Sequence, residues 1–327
     1  MKILLTGGAG YIGSHVLLSI LKDKHDVCII DDLSTGNKNL IPKNVELLNC
    51  NINNEKIISN LLQKEKFDIL LHFAGFIKVE ESVLNPEKYF KNNTENAIKF
   101  FEVCHKNGLK NIIFSSTAAA YGNPINNYSI KEDEKLKPLN PYGESKINTE
   151  NFLIKNKNKF NSIILRYFNV AGADPDLRSG LISNEPTHLI KILSEVAVGK
   201  REKIFIYGND YNTYDGTAIR DYIHVSDLAD IHLEVAKYLL NKKHSNIFNC
   251  GYGKGYSVLE VINTANKITN NKIKFEYTKR RVGDAEKLVS NVDKLHKNIN
   301  WYPKFDNLDF IIQTAINWEK KIYEKNL

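Results

Sequence analysis

A tyrosine and a lysine stand four positions apart in the segment Leu139-Asn140-Pro141-Tyr142-Gly143-Glu144-Ser145-Lys146. Asparagine caps helices and proline suits the first helical position, so the segment opens a helix that carries Tyr142 and Lys146 on one face. An ammonium beside a phenol favours the phenolate and draws its ionisation down from about 10, which makes Tyr142 a candidate general base. The same spacing also occurs in ordinary helices, with tyrosine in the core and lysine in solvent. What decides between these readings is the company the pair keeps. Just upstream, an apolar strand pattern over residues 111–116 runs into the hydroxyls Ser115, Ser116 and Thr117.

The elements that would position these groups begin at the N-terminus. The apolar run Ile3-Leu4-Leu5 leads into glycines spaced G-x-x-G-x-x-G, at Gly7, Gly10 and Gly13, and a helical apolar pattern follows through Leu17, Leu18 and Leu21. Strand, tight turn and helix in that order let the backbone approach a pyrophosphate, whose charge is drawn to the free N–H groups of the helix start. Asp31 ends a second apolar run over 27–30, where an acid accepts hydrogen bonds from an adenosine ribose and repels the extra phosphate of NADP. The cofactor expected is therefore NAD. Its positive nicotinamide ring would favour a Tyr142 phenolate further.

Further strands are expected over 45–48, 67–75, 111–116 and 162–169, separated by helices through Ile57 to Leu62, over 86–105 and from Pro141. Alternation of this kind implies an α/β fold, a Rossmann-type doubly wound parallel sheet with helical crossovers. Ligands in such sheets lie at the carboxyl ends of the strands, where Gly10, Asp31, Gly75 and Ser116 fall. Residues 1–170 read as the NAD-binding domain, with later strands returning to the sheet. Residues 171–327 read mainly as a smaller C-terminal α/β substrate lobe, with short strands at 246–249 and 273–275 and helices over 257–269 and 308–320.

The chain has 327 residues, with 45 Lys and Arg against 38 Asp and Glu, a formal charge of +7 spread along its length. No basic stripe with interleaved aromatics points to nucleic acid. Cys28, Cys50, Cys104 and Cys250 are widely spaced and form no C-x-x-C pair, so reduced thiols are expected and metal ligation is not. No leader and no run of 18 apolar residues is evident, which leads us to expect a cytoplasmic protein without membrane contact.

The ordered set TGGAGYIGSH, HFAG, FSSTAAAYG, PYGESK, RYFNVAGA and RDYIHVSDLAD resembles the extended short-chain dehydrogenase/reductase family, most closely its UDP-glucose 4-epimerases. The likeness covers essentially the whole chain. It implies an NAD that stays bound while Tyr142 takes the proton from the sugar O4 and C4 gives a hydride to the nicotinamide. The 4-keto sugar then turns about its diphosphate link and the hydride returns to the opposite face. By resemblance, Thr117 stands where a hydroxyl assists proton transfer at O4. Gly7, Gly10, Tyr11, Ile12, Gly13, Asp31, Asp32, Leu33, Ser34, Thr35 and Gly36 would hold the adenosine and pyrophosphate. Asn51 and Ile52 would meet the adenine, Asn51 replacing the aspartate usual in relatives. Phe73, Ala74 and Gly75 would line the nicotinamide side, with Asn92, Lys146 and Phe168 completing the cofactor site.

On the substrate side the resemblance places Asn169 on the sugar nucleotide and His188, Leu189 and Phe205 toward the uridine. Arg220 and Arg281 would lie on the diphosphate and Asp284 on the ribose. Some relatives carry a tyrosine that crowds out an N-acetyl group where this chain has Leu288, so N-acetylated UDP-hexoses are an alternative substrate class. A nucleotide-sugar 4,6-dehydratase would need Asp-Glu after Thr117, where Ala118 and Ala119 stand. A non-enzymatic NAD-sensing or scaffold protein would not need Tyr142, Lys146 and Thr117 intact. The helices over 86–105 and 141–156 would pair across a homodimer.

Overall fold

The computed structural model describes residues 1–124, 129–281 and 284–325. Six short strands rich in Ile, Leu, Val and Phe are β1 (Lys2–Thr6), β2 (Asp26–Asp31), β3 (Glu46–Asn49), β4 (Ile69–His72), β5 (Asn111–Thr117) and β6 (Asn161–Tyr167). Between them run α1 (Tyr11–Lys22), α2 (Glu55–Lys64), α3 (Val79–Leu84), α4 (Pro86–Tyr89), α5 (Ala97–Lys106) and α6 (Pro141–Lys155). Successive side chains point to opposite sides, and both faces of β1, β4, β5 and β6 are buried, whereas the edge strand β3 is not. Ile3, Leu5, Ile29, Leu71 and Ile163 share one apolar cluster with the helices on one face, whereas Leu4, Ile30, Leu70, Ile112 and Phe114 cluster with α2 and α5 on the other. Helices cover the sheet on both sides, as the doubly wound reading requires.

Helical crossovers make the five connections among β1 to β6 and keep those strands parallel, but the seventh strand comes from far along the chain. Beyond β6 follow β7 (Asn169–Ala171), α7 (Leu189–Ala197), β8 (Ile204–Tyr207), β9 (Ile219–His224), α8 (Val225–Lys242) and β10 (Asn246–Cys250). β10 pairs parallel with β6, from Asn246 opposite Ile163 to Cys250 opposite Tyr167. The main sheet therefore has seven strands in the order β10-β6-β5-β4-β1-β2-β3. β10 is thus a later strand returning to the sheet, as expected, although the sequence pattern assigns residues 246–249 to the smaller lobe. Strand order reverses between β1 and β4, and that switch point opens a crevice at the carboxyl ends.

The chain then forms β11 (Gly255–Ser257), α9 (Val258–Thr269), β12 (Phe275–Thr278), β13 (Lys287–Leu288), α10 (Asp293–Asn298) and α11 (Leu308–Glu324). β9 is the centre of a small sheet, flanked by β11 and β13 and paired also with β7, while β8 and β12 make a two-stranded ribbon. A capping box fixes the start of α9: Glu260 N–H donates to the Ser257 hydroxyl, and Ser257 N–H donates to the Glu260 carboxylate. One apolar core runs unbroken from the main sheet through α8 and into α7, α9 and α11.

The helix expected over 86–105 is not uniform. α4 passes into a π-helical segment, Phe90–Asn96, before α5 resumes the α-helical register. Such a segment rotates the following side chains relative to a plain helix, and π-turns concentrate at functional sites. The segment around Arg220 was quoted only as a motif; it forms β9 and the N-terminal end of the 18-residue helix α8.

Candidate active site

The turn after β1 is made close by glycine. Gly7 has φ of +71°, and a Cβ there would lie 2.7 Å from the Ala74 nitrogen. At Gly13 a Cβ would sit 2.2 Å from the Gly7 carbonyl oxygen, so α1 can rest on the turn only without a side chain. Gly10 takes the cap position of α1 with no side-chain cap, which leaves first-turn N–H groups near Tyr11 and Ile12 directed at the crevice. Asp31 closes the adjoining corner. Its carboxylate accepts from Ala9 N–H and Leu33 N–H, each at 2.9 Å, while burial pushes its ionisation up. A Cβ on Gly36 would strike Ala9 and the Asp31 carboxylate. These close approaches fit a dinucleotide's pyrophosphate and ribose, which need bare backbone and an acid within reach.

Asp32 to Thr35 form a more open loop. Ser34 donates to Asp32 from both its N–H and its hydroxyl, and Asn51 Nδ2 donates to Asp32 at 2.6 Å. Burial opposes ionisation of Asp32, yet these bonds outweigh it and hold the carboxyl below its ordinary range. The Asn51 carbonyl oxygen already accepts from Asn53 N–H. Its free acceptor capacity is correspondingly reduced, while Ile52 beside it is buried in the core.

At the end of β4 the chain narrows through Phe73, Ala74 and Gly75. Thr6 Oγ1 accepts from Ala74 N–H and bonds His72 Nδ1 at 2.9 Å, tying this turn to β1. Asn92 was the residue singled out on the next helix, but its buried neighbour Asn93 makes the wider set of bonds. The Asn93 amide accepts from Phe76 N–H at 2.8 Å and donates to the Phe76 carbonyl and the Ser145 hydroxyl, and Asn92 Nδ2 donates to it. The π-helical register decides which asparagine faces inward, and nothing local in the sequence announces it.

The Asn140 side chain caps α6 by accepting from Gly143 N–H at 2.9 Å. Lys146 is buried, 3% exposed, and its ammonium donates to the Ser115 carbonyl at 2.9 Å above the Phe114 ring. Burial lowers its pKa to about 8, with the Glu150 carboxylate acting in the opposite sense. Tyr142 keeps part of its side chain accessible, yet surrounding protein pushes its ionisation up and a hydrogen bond with Thr117 pulls it back. That differs from the expectation of a phenol lowered by lysine: desolvation is the largest influence on Tyr142, and Thr117 is the group that opposes it. Thr117 is buried at the end of β5, and its hydroxyl also accepts from Ala119 N–H.

The opposite wall comes from other elements. Asn169, His188 and Leu189 line one cavity together with Tyr11, whose hydroxyl donates to the Gly172 carbonyl at 2.6 Å. Burial lowers the His188 pKa. Phe168, 5% exposed, packs with Ala118, Tyr121 and Ile130, and Leu288 lies against the same cluster. In β13 Leu288 pairs with Arg220 of β9. Arg220 is desolvated enough to lower its pKa and lies 4.0 Å from Asp284, to which Arg281 donates at 3.1 Å. Phe205 stands 47% exposed on β8, apart from the first cavity. Two positions on, Tyr207 carries the Arg281 guanidinium 4.3 Å above its ring, a partner that strand alternation from Phe205 could have identified.

A glycine turn at the switch point of a doubly wound sheet, with Thr117, Tyr142 and Lys146 gathered beside it, defines an extended short-chain dehydrogenase/reductase. The model of the NAD dependent epimerase/dehydratase family matches residues 3–251, and the chain belongs to that family. It is 42% identical to a UDP-glucose 4-epimerase of Azospirillum brasilense over 98% of this chain and 92% of that protein. Among solved structures it is similar to a UDP-glucose-4-epimerase from Stenotrophomonas maltophila with bound NAD and formylated UDP-arabinopyranose. That match has a TM-score of 0.95, 28% identity and 99% coverage of both chains. It is also similar to the UDP-Glc/GlcNAc 4-epimerase of Campylobacter jejuni, with a TM-score of 0.85 and 44% identity over 98% of this chain and 99% of that one.

Proposed function

We propose that this chain is an NAD-dependent UDP-hexose 4-epimerase that interconverts UDP-glucose and UDP-galactose. The observation that carries this reading is that Thr117 hydrogen-bonds Tyr142, while Lys146, on the same helix as Tyr142, donates to the Ser115 carbonyl and lies beside Gly75. NAD, when bound, supplies reversible two-electron redox chemistry at the sugar C4. Tyr142 takes the O4 proton and later returns it, and a positive nicotinamide would lower the phenol toward the working range. Thr117 keeps its hydroxyl within hydrogen-bonding reach of that phenol and orients the transfer. Lys146 holds a charge against the cofactor side of the site. Gly7, Gly10, Gly13, Tyr11, Ile12, the Asp31 to Gly36 loop, Asn51, Ile52, Phe73 to Gly75, Asn92 and Phe168 are assigned to NAD.

The diphosphate is assigned to Arg220 and Arg281, the ribose to Asp284, the uracil end to Phe205, His188 and Leu189, and the hexose to Asn169 and Leu288. A coupled assay on UDP-galactose without added NAD tests the reading. Turnover is expected, and a purified protein inactive even with NAD added would refute it. Leu288 favours a secondary substrate class, UDP-GlcNAc and UDP-GalNAc, because leucine leaves more room than tyrosine beside Phe168. The similarity to the Campylobacter jejuni enzyme points the same way. Leu288→Tyr should abolish turnover of UDP-GalNAc and spare UDP-galactose; unchanged activity on both would dismiss the assignment.

A homodimer is the assembly we infer. Val83 and Leu84 on α3 are 59% and 79% exposed and Ile154 on α6 is 46% exposed, an apolar face suited to a second copy. Light scattering of the purified protein checks this. The free thiols, three of them buried, suit a reducing compartment, which we take to be the cytoplasm. Among the described residues no helix is long and apolar enough to cross a membrane.

A further inference from the structure

Behind the three reacting-site side chains lies a second, buried layer of charge. Glu150 follows Lys146 by one turn of α6 and is wholly buried, as is its partner Arg166 on β6, with side-chain exposures of 0% and 3%. The pair is bidentate: Arg166 Nη2 donates to Glu150 Oε2 at 2.7 Å and Nε donates to Oε1 at 3.1 Å. The Ser116 hydroxyl, next in chain to Thr117, donates to the same Oε1. Arg166 Nη1 reaches onward to the Tyr121 hydroxyl and the Glu132 carbonyl, both at 2.9 Å. Tyr121 in turn donates to Asn249 of β10 at 2.6 Å, and Asn249 donates to the Ile130 carbonyl.

Every element that carries a reacting group is thereby tied to one ion pair. α6 bears Tyr142 and Lys146, β5 bears Thr117, and β6 leads into Phe168 and Asn169. Burying two charges is costly, and a pair of apolar residues would fill the same space with less penalty. A packing role alone therefore does not explain it. Resting on the 4-epimerase reading, we propose that Glu150 is a positioning residue, holding Thr117 against Tyr142 through Ser116 and Arg166 and setting a carboxylate one helical turn from the Lys146 ammonium. The groups that face Lys146 agree with this. Tyr142 and Glu150 come from its own helix, the Ser115 carbonyl and Phe114 ring from β5, Asn93 from the π-helical segment next to Gly75, and His72 from β4. Burial holds His72 down to about 3 and so neutral, leaving the Glu150 carboxylate as the anion that acts on Lys146.

The test uses full-length protein and three variants: Glu150→Gln, Glu150→Asp, and the double Glu150→Gln/Arg166→Gln, which strands no unpaired charge should the single variant misfold. In folded variants lacking the carboxylate, kcat on UDP-galactose should fall at least about tenfold while KM stays within about twofold. The basic limb of the kcat profile should move to lower pH, as Lys146 loses its proton more easily. Glu150→Asp should restore part of both. Independently of turnover, the ultraviolet titration of Tyr142, taken as the difference from Tyr142→Phe, should move to higher pH. A folded double variant with wild-type kcat and an unmoved Tyr142 titration would overturn the proposal. If wild type itself fails to turn over UDP-galactose while the Tyr142 titration still shifts in the variants, the substrate reading fails and the positioning role stands.

Discussion

The two walls of the crevice are made of different material. On the side proposed for the cofactor the lining is backbone: glycines at 7, 10 and 13, N–H groups at the start of α1, and an acid already held by two amides. On the side proposed for the substrate it is side chains from α7, β8, β9, β13 and the segment after β12, and several stay accessible, Phe205 at 47%, Tyr207 at 38% and the Arg281 side chain at 36%. Backbone cannot be tuned by substitution without breaking the turn, whereas exposed side chains exchange freely. A wall of the first kind keeps one cofactor through many turnovers. One of the second kind lets related chains choose different sugars.

Replacing Tyr142 by Phe, at the seam of the two walls, should cost most: kcat falls by about 10²- to 10⁴-fold while the protein still purifies with NAD, measured by turnover and by cofactor content. Loss of NAD as well would mean the seam is structural. Gly13→Ala attacks the backbone wall alone, and the clash with the Gly7 carbonyl should cost about 1–3 kcal/mol, lower the melting temperature and empty the protein of NAD. Arg281→Ala attacks the side-chain wall alone. It should raise KM about tenfold with kcat and NAD content near wild type, because one charge-assisted bond to the diphosphate is lost. If Arg281→Ala also released NAD, the contrast between the walls would fall.

Acid should weaken both walls alike. Burial lowers His15 to about 4, His72 to about 3 and His232, which packs on Phe73, to about 4 on the cofactor side, and His224 of β9 to about 3 on the other. Each folded-state value lies below the ordinary 6.5, so the unfolded chain binds protons first as the pH falls. Stability is then complete above about 6.5 and declines down to about 3, by at most about 1.4 kcal/mol per pH unit per histidine. Calorimetric melting at a series of pH values reads this directly.

Local patterns in the chain announce the first wall more fully than the second. The glycine spacing, the strand before it and Asp31 are contiguous signals, and the Asn140 cap predicts where Tyr142 and Lys146 begin their helix. Non-local facts escape such reading. That β10 pairs with β6 depends on a partner some eighty residues away, and the inward turn of Asn93 depends on a π-helical register. The Glu150–Arg166 pair is a third case, since charges in a helix and a strand look like solvent-facing residues until the sheet is assembled. Phe205 and Tyr207 show the limit from the other side: alternation gives their shared face, but not what covers it.

The late arrival of β10 also bears on how the chain is made. A ribosome releases β6 long before Asn246–Cys250, and at about 5–20 residues per second the interval is roughly 4–16 s. Throughout that time the edge of β6, with Ile163, Ile164 and Leu165, offers unpaired backbone amides and carbonyls to any passing strand. Nascent chains of this protein thus have a timed window of vulnerability, in which slow codons or missing chaperones would favour aggregation over a finished sheet.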